Sequence, residues 1–156
     1  VGTVQHYFDS RDRLIEDLFD WSSERRLRTW LESVPANEDD PWKRLAALVA
    51  ASLPEPALWR SRIWIEFCAM ARDDALRVKL ERHYEAWRPP FREAIENGIA
   101  AGVFHPVMPV EDIVDLCIIV GDGAEVGISL GAPGIDADRV REVLLDTVRT
   151  LVRPDR

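Results

Sequence analysis

Short polar side chains crowd the first turn or two of the sequence. Hydroxyl, amide and imidazole groups of this kind hydrogen-bond to base edges and to phosphate oxygens of DNA. The residues are Thr3, Gln5, His6 and Tyr7. Val4 and Phe8 lie four positions apart, which places them on one face of a helix where they can pack inward. The pattern predicts a short helix that turns its polar side towards nucleic acid.

A second helix is expected to begin directly after this peptide. Ser10 is a favourable N-cap, because its hydroxyl can accept a hydrogen bond from an unpaired backbone N–H of the first turn. Arg11 follows at a helix start, where the helix dipole favours acids rather than cations. We interpret Arg11 as a phosphate contact. A solvated arginine on an ordinary helix is the alternative.

Together these residues resemble the junction between the recognition helix and the following helix in TetR-family repressors. The resemblance is carried by Gly2-Thr3-Val4, His6-Tyr7-Phe8 and Ser10-Arg11 before Leu14 and Ile15. It implies an all-α, TetR-like helical bundle, and a chain entered partway through its DNA-binding domain. Residues 1–20 are then the remnant of the helix-turn-helix and the start of a connecting helix, and residues 21–156 the effector-binding and dimerisation domain. Many members have Tyr and Lys where this sequence has Gln5 and Arg11, which leaves the base preference open.

The rest of the chain resembles the BetI-like branch of the same family. The positions that carry this second resemblance are Trp64, Phe67, Ala71, Asp73, Leu76, Arg77, Tyr84, Trp87-Arg88, Gly102, Phe104 and Asp122-Gly123. The resemblance implies double-stranded operator DNA, a small-molecule effector and a second copy of the chain as partners.

Aromatic side chains recur through the middle of the chain, and isolated acids lie near them. The expected ligand-binding residues are Trp64, Phe67, Met70, Tyr84, Trp87, Phe91, Ile118 and Asp122. A buried carboxylate needs a partner or a ligand. Arg60, Arg62 and Arg88 are candidate partners. Without them, the pocket favours an apolar or cationic amphipathic effector. An ordinary hydrophobic core is the other interpretation of the same stripe.

Small residues and long apolar faces characterise the last two predicted helices. Residues 110–130 are apolar almost all round, and the helix that begins near Asp136 repeats apolar residues at i, i+3 and i+4. The expected homodimer interface consists of Gly121, Ala124, Ile128, Val140, Leu144, Val148 and Leu151. An intramolecular core is the alternative.

Helical periodicity runs through nearly the whole sequence, with no convincing strand. Helices are predicted from Ser10 to before Pro35, from Pro41 to the break at Pro54, over 59–72, from Asp73 or Asp74 to Gly102, over 110–130 and from Asp136 onwards. Pro89-Pro90 should interrupt the fourth as a kink or as a boundary between two collinear helices, because proline removes a helical hydrogen bond.

Composition narrows the function classes. No apolar run is long enough to span a bilayer, so no membrane partner is expected. The two cysteines lie in apolar stretches, as expected for buried thiols in the cytoplasm. Common catalytic and metal-binding motifs are missing, so we expect neither an enzyme nor a cofactor or metal. The net charge of −8 does not by itself favour nucleic acid.

These observations predict a ligand-responsive DNA-binding transcriptional regulator, a repressor that a small effector releases from its operator. The alternative is a helical small-molecule-binding or scaffold module that does not bind DNA.

Overall fold

The computed structural model describes residues 10–35, 38–53, 58–70 and 74–154, with backbone only at 58–60 and 75. This part of the chain folds as α1 (Arg11–Ser33), α2 (Pro41–Ser52), α3 (Leu58–Met70), α4 (Asp74–Ala100), α5 (Val110–Ser129) and α6 (Ala137–Val152). An isolated bridge between Phe104 and Pro154 is the one extended pairing within these ranges. The predicted all-α fold is confirmed.

Side-chain caps fix three of the helix starts where the sequence places them. Ser10 Oγ, Asp40 Oδ1 and Asp136 Oδ1 each accept a hydrogen bond from a backbone N–H in the first turn of α1, α2 and α6, at 3.1, 2.9 and 2.9 Å. Pro41 takes the first position of α2, where its missing N–H costs nothing. Local chemistry therefore decides these boundaries.

The fourth helix excludes one of the two predicted forms, the boundary between two collinear helices at Pro89-Pro90. Pro89 and Pro90 lie inside α4, which continues without a boundary to Ala100. The side chains on either side explain this: Trp87 and Phe91 are buried, and both rings pack against Trp30, with centroids 4.6 and 5.1 Å away. Aromatic packing on both sides of the prolines offsets the lost backbone hydrogen bonds and holds the helix in one piece.

Two hydrophobic clusters fill the bundle. The larger one joins the end of α1 to α2, α4, α5 and α6, and its fully buried members include Leu45, Phe91, Ile95, Ile113, Leu144, Val148 and Val152. The smaller one consists of Ile15, Phe19, Trp64, Phe67 and Leu76 and packs the start of α1 against α3 and α4. Because α1 contributes Phe19 to one cluster and Trp30 to the other, it connects the N-terminal end of the bundle to its body.

Candidate functional site

A small cavity lies where α1, α4 and α5 meet. Its volume is about 30 Å³, which accommodates a water molecule but not an organic ligand. Its lining residues are Arg26, Ser52, His83, Tyr84, Trp87, Phe91, Cys117, Ile118, Gly121 and Asp122. The wall is thus aromatic on the α4 side and carries an acid on the α5 side.

Five of the predicted ligand-binding residues converge on this cavity. They are Tyr84, Trp87, Phe91, Ile118 and Asp122. Trp64, Phe67 and Met70 lie elsewhere, in or against the smaller hydrophobic cluster. There α3 packs against α1, and the rings of Phe67 and Phe19 stack with centroids 3.6 Å apart. The aromatic residues of α3 therefore pack in the smaller cluster and do not line this cavity, and their role in ligand binding stays a prediction.

Asp122 and Tyr84 form the polar centre of the cavity. The Tyr84 hydroxyl donates a hydrogen bond to Asp122 Oδ2 at 2.7 Å. Burial raises the pKa of Asp122, and the nearby Glu125 raises it further, against the opposing effects of Tyr84 and Arg26. Burial also raises the pKa of Tyr84, assisted by Asp122. Burial therefore destabilises the charged form of Asp122, and a cation bound beside it would stabilise that form.

Arg26 and Glu125 form a second polar pair beside the first. Glu125 is only 2% exposed and accepts an ion-paired hydrogen bond from Nη1 of Arg26. Nη2 of Arg26 donates to the Ser52 carbonyl at 3.2 Å, and the guanidinium carbon lies 5.2 Å from the centroid of the Trp87 ring. Arg26 thus supplies the partner for Glu125, a role that the sequence analysis did not give it.

His83 separates this cavity from a larger one. Burial and the charge of Arg26 lower the pKa of His83 to about 4, so the imidazole is neutral at physiological pH. A second cavity of about 330 Å³ lies between α1 and α4, lined by Phe19, Asp20, Ser23, Glu24, Leu27, Lys79, Arg82, His83, Ala86 and Trp87. His83 and Trp87 line both cavities. Two side chains therefore stand between the small acidic cavity and the larger space.

The site residues that the sequence analysis missed occupy core-facing positions of recognised helices. Arg26 lies seven residues after Phe19 and four before Trp30, on the same face of α1. His83 lies three residues after Leu80 and four before Trp87 on α4. In both cases a polar residue within an apolar stripe of the helix was the sequence signal that could have identified the site residue.

Cys117 also faces the small cavity. Its thiol is free and buried, and burial raises its pKa to about 12. Cys68 is half-buried and free, and burial with the charges of Asp122 and Glu125 raises its pKa to about 11. Both groups are thiols rather than thiolates at neutral pH, which disfavours a nucleophilic role.

Of the predicted DNA-contacting residues, the structure describes Arg11. Thr3, Gln5, His6 and Tyr7 lie outside the described residues. Arg11 donates from Nη2 to Glu66 Oε2 at 2.7 Å, and both side chains are more than half exposed. A phosphate contact by Arg11 stays a prediction, and the phosphate would have to compete with Glu66.

The predicted dimer residues are buried or partly buried inside the protomer. Gly121, Ala124, Leu144 and Val148 are buried, because α6 turns its most apolar face onto α2 and α5. Ile128, Val140 and Leu151 are partly buried against the same core. The exposed apolar residues of these two helices include Ile119, Val126, Leu130 and Val143.

Within the described ranges, metal-ligating clusters and membrane spans are both absent. No cluster of three or more His, Cys, Asp or Glu side chains there has the arrangement of a metal site. None of the helices described combines the length and the apolar character needed to cross a membrane.

Comparison with protein families identifies the C-terminal domain of BetI-type transcriptional repressors over residues 41–153. A comparison with curated proteins gives no match.

Three solved structures are similar over nearly the whole chain. A TetR transcription regulator from Haloarcula marismortui ATCC 43049 is 21% identical with a TM-score of 0.79, covering 97% of this chain and 80% of its own. A protein from Rhodococcus sp. assigned to the TetR family is 20% identical with a TM-score of 0.78, covering 97% and 80%. A protein from Saccharomonospora viridis assigned as a transcriptional regulator, in complex with choline, is 22% identical with a TM-score of 0.75, covering 99% and 81%.

The structural matches agree on the TetR fold, and the family match extends over most of the sequence. TetR-family regulators bind operator DNA, dimerise and respond to small molecules. The chain belongs to the TetR family of transcriptional regulators, as a member with a BetI-type repressor domain.

Proposed function

We propose that this repressor senses a small organic cation, and that binding of the cation releases it from operator DNA in the cytoplasm. The observation that carries the proposal is the half-buried carboxyl of Asp122 in an aromatic cavity. The arginine at this site, Arg26, is already ion-paired with Glu125. The charge of Asp122 is therefore available to a ligand.

The chemistry of the cavity suits an alkylammonium head group. Aromatic faces attract quaternary ammonium ions through their quadrupoles, and a carboxylate adds the opposite charge. Tyr84, Trp87 and Phe91 supply the faces and Asp122 the charge. The complex of the similar Saccharomonospora viridis protein with choline supports this ligand class and makes choline the first probe.

We expect an effector to use both cavities. The cavity of about 30 Å³ beside Asp122 is too small for choline, whereas the cavity of about 330 Å³ begins on the other side of His83 and Trp87. We expect the head group to enter the small cavity while the aromatic wall and α1 move apart. An apolar extension of the effector would then lie in the larger space.

Movement of α1 connects the effector to DNA. Operator binding is assigned to the N-terminal residues Thr3, Gln5, His6, Tyr7 and Arg11, which immediately precede or begin this helix. An effector that binds better to a different placement of α1 shifts the population away from the DNA-binding arrangement. A coupling of about 1 to 3 kcal/mol is typical of such systems.

Asp122→Asn tests the ligand assignment. The substitution removes the charge but keeps a polar group of the same size beside Tyr84, so choline should bind about 10- to 100-fold more weakly, because the Coulombic attraction between the carboxylate and the quaternary ammonium is lost. Isothermal titration calorimetry measures the affinity. Asp112→Asn is the matched control, because Asp112 is an exposed acid on the same helix. Equal choline affinity in the two variants would contradict the role of Asp122.

We also propose that the protein is a homodimer formed through α5 and α6, with α5 contributing the side of the helix opposite to the residues predicted from the sequence. Ile119, Gly123, Val126 and Leu130 are exposed and follow one another at intervals of four, three and four, so they form one stripe of α5. Gly123 has open space where a Cβ would lie, which allows a partner backbone to approach. Val143 adds an exposed apolar residue on α6.

Ile119→Glu should weaken this dimer. The side chain is 67% exposed in the protomer, so the change spares the internal core. At a two-fold interface the substitution buries two like charges. We expect the free energy of dimerisation to weaken by at least about 2 kcal/mol, which raises the dissociation constant roughly 30-fold. Analytical ultracentrifugation measures it, with Val78→Glu on an exposed part of α4 as the control. If only Val78→Glu dissociates the dimer, the interface lies elsewhere.

A further inference from the structure

We infer that Arg26 is a tethered competitor of the effector: its guanidinium occupies part of the cation site, and a bound cation displaces it. This inference rests on the proposed function, because it names how the same site is regulated. It makes Arg26 the residue through which occupancy of the site reaches α1.

The contacts of Arg26 are the contacts that a cationic ligand needs. Its guanidinium is ion-paired with Glu125, lies 5.2 Å from the centroid of Trp87 and donates to the Ser52 carbonyl at 3.2 Å. A carboxylate, an aromatic face and a carbonyl dipole together form a recognition site for an ammonium group. In the structure the cation at this site is part of the chain itself.

The space at the site leads to the same conclusion. Arg26 lines the cavity, and with the guanidinium in place only about 30 Å³ is left beside Asp122. The Arg26 side chain is 26% exposed, so its charged end has a route to water. Glu125 is almost completely buried and has no such route. Withdrawal of Arg26 therefore enlarges the cavity and leaves its acids in place for another cation.

Withdrawal of Arg26 also releases a link between two helices. Arg26 lies on α1 and Glu125 on α5, and the ion pair joins them. Arg26 is fifteen residues, or about 22 Å of helix, from the N-terminal end of α1. A cation that takes the place of Arg26 thus frees α1 from α5 along the helix that leads to the DNA-binding end.

Arg26→Ala tests the competition. The variant should bind choline at least about tenfold more tightly than the native chain, because the competing state is removed. Choline and N-ethylguanidinium should each raise its melting temperature, since either cation pairs with the vacated acids. The neutral choline isostere 3,3-dimethylbutan-1-ol should not. Arg25→Ala is the matched control: Arg25 is next to Arg26 on α1, but its guanidinium lies 5.6 Å from the ring centroid of the exposed Trp21.

A second measurement uses the native chain and does not depend on the variant folding. The Arg26 side-chain Nε resonance is followed by ¹⁵N NMR during a titration with choline. Displacement from the face of Trp87 should shift this resonance with the same midpoint as calorimetric binding. The Nε resonance of Arg25 should stay in place.

The outcomes separate this inference from the proposed function. Equal choline affinity in native chain and Arg26→Ala, with an unmoved Arg26 resonance, would overturn the competition and leave the cation sensor standing. Displacement of Arg26 without any effect of choline on an electrophoretic shift of upstream DNA by the full-length protein would overturn the release from DNA and leave the competition standing. Binding of choline to neither protein would overturn both.

Discussion

Replacing Arg26 with Met should lower the free energy of unfolding by about 3 to 5 kcal/mol at neutral pH, the cost of breaking a buried ion pair from one side. Glu125 is 2% exposed, and its ion-pair partner in the structure is Arg26. Without that partner the buried carboxylate is left uncompensated, with the Asp122 carboxyl nearby. Because the Arg26 side chain is 26% exposed, water can reach the gap, and we expect the lower part of the range.

Removing both charges should restore most of the lost stability. In Arg26→Met/Glu125→Leu the desolvation cost of Glu125 disappears together with the ion pair, and buried pairs replaced by apolar residues are often neutral in stability. Urea denaturation of the two single variants and the double variant measures the coupling. Arg25→Met, on the solvent side of the same helix, should change stability by no more than about 0.5 kcal/mol. A double variant as unstable as Arg26→Met would show that the cost comes from packing and not from the unpaired acid.

The helix boundaries are the features that the sequence predicts best, because local chemistry determines them. Ser10, Asp40 and Asp136 cap their helices through hydrogen bonds within one turn. The continuity of α4 through Pro89 and Pro90 was not predictable in this way. It depends on contacts with Trp30, more than fifty residues away along the chain, and periodicity contains no information about such contacts.

The candidate site was predictable only in part, for a related reason. The spacing of Tyr84, Trp87 and Phe91 identifies an inward face of α4, but it does not say which helix that face meets. The aromatic face of α3 has similar spacing, yet Trp64 and Phe67 pack against Phe19 in the core. Sequence patterns give the direction of a side chain relative to its own helix, and packing decides its neighbours.

Arg26 and His83 show where this limit matters most for function. Each interrupts an apolar stripe, so each is a buried polar residue that needs a reason. The reason lies on a different helix in each case: Glu125 on α5 pairs with Arg26, and aromatic rings from α1 and α3 enclose His83. In a helical bundle, polar exceptions within a predicted core face are therefore the residues to examine first for a ligand site.

The same distinction applies to the proposed dimer interface. The apolar positions of α6 are consistent with either a core or an interface, and Leu144 and Val148 are in fact buried inside the protomer. Isolated exposed apolar residues such as Ile119 were less conspicuous in the sequence, because they belong to a helix that is apolar almost all round. Only the packed structure separates its inner face from its outer one.

Acidification should destabilise the protein through His83. Its pKa in the folded chain is about 4, below the ordinary value of 6.5, because burial and Arg26 disfavour the charged ring. Between pH 6.5 and 4 the unfolded chain therefore binds a proton that the folded chain does not, so stability is present above pH 6.5 and is lost as the pH falls towards 4. The difference in pKa corresponds to as much as about 3 kcal/mol.

The effect of His83 must be separated from that of Asp122. The pKa of Asp122 is raised, so its protonation on acidification stabilises the folded chain, the opposite sign. We therefore expect the clearest result in an Asp122→Asn background. In that background, lowering the pH from 7 to 4 should reduce the free energy of unfolding of the chain that keeps His83. The reduction should be smaller by as much as about 3 kcal/mol in His83→Phe and in His83→Gln. Comparing each variant with itself at two pH values cancels its packing cost. An NMR titration of the His83 ring with a midpoint near its ordinary value would show instead that the imidazole accepts a proton freely, and that the wall between the two cavities opens to water.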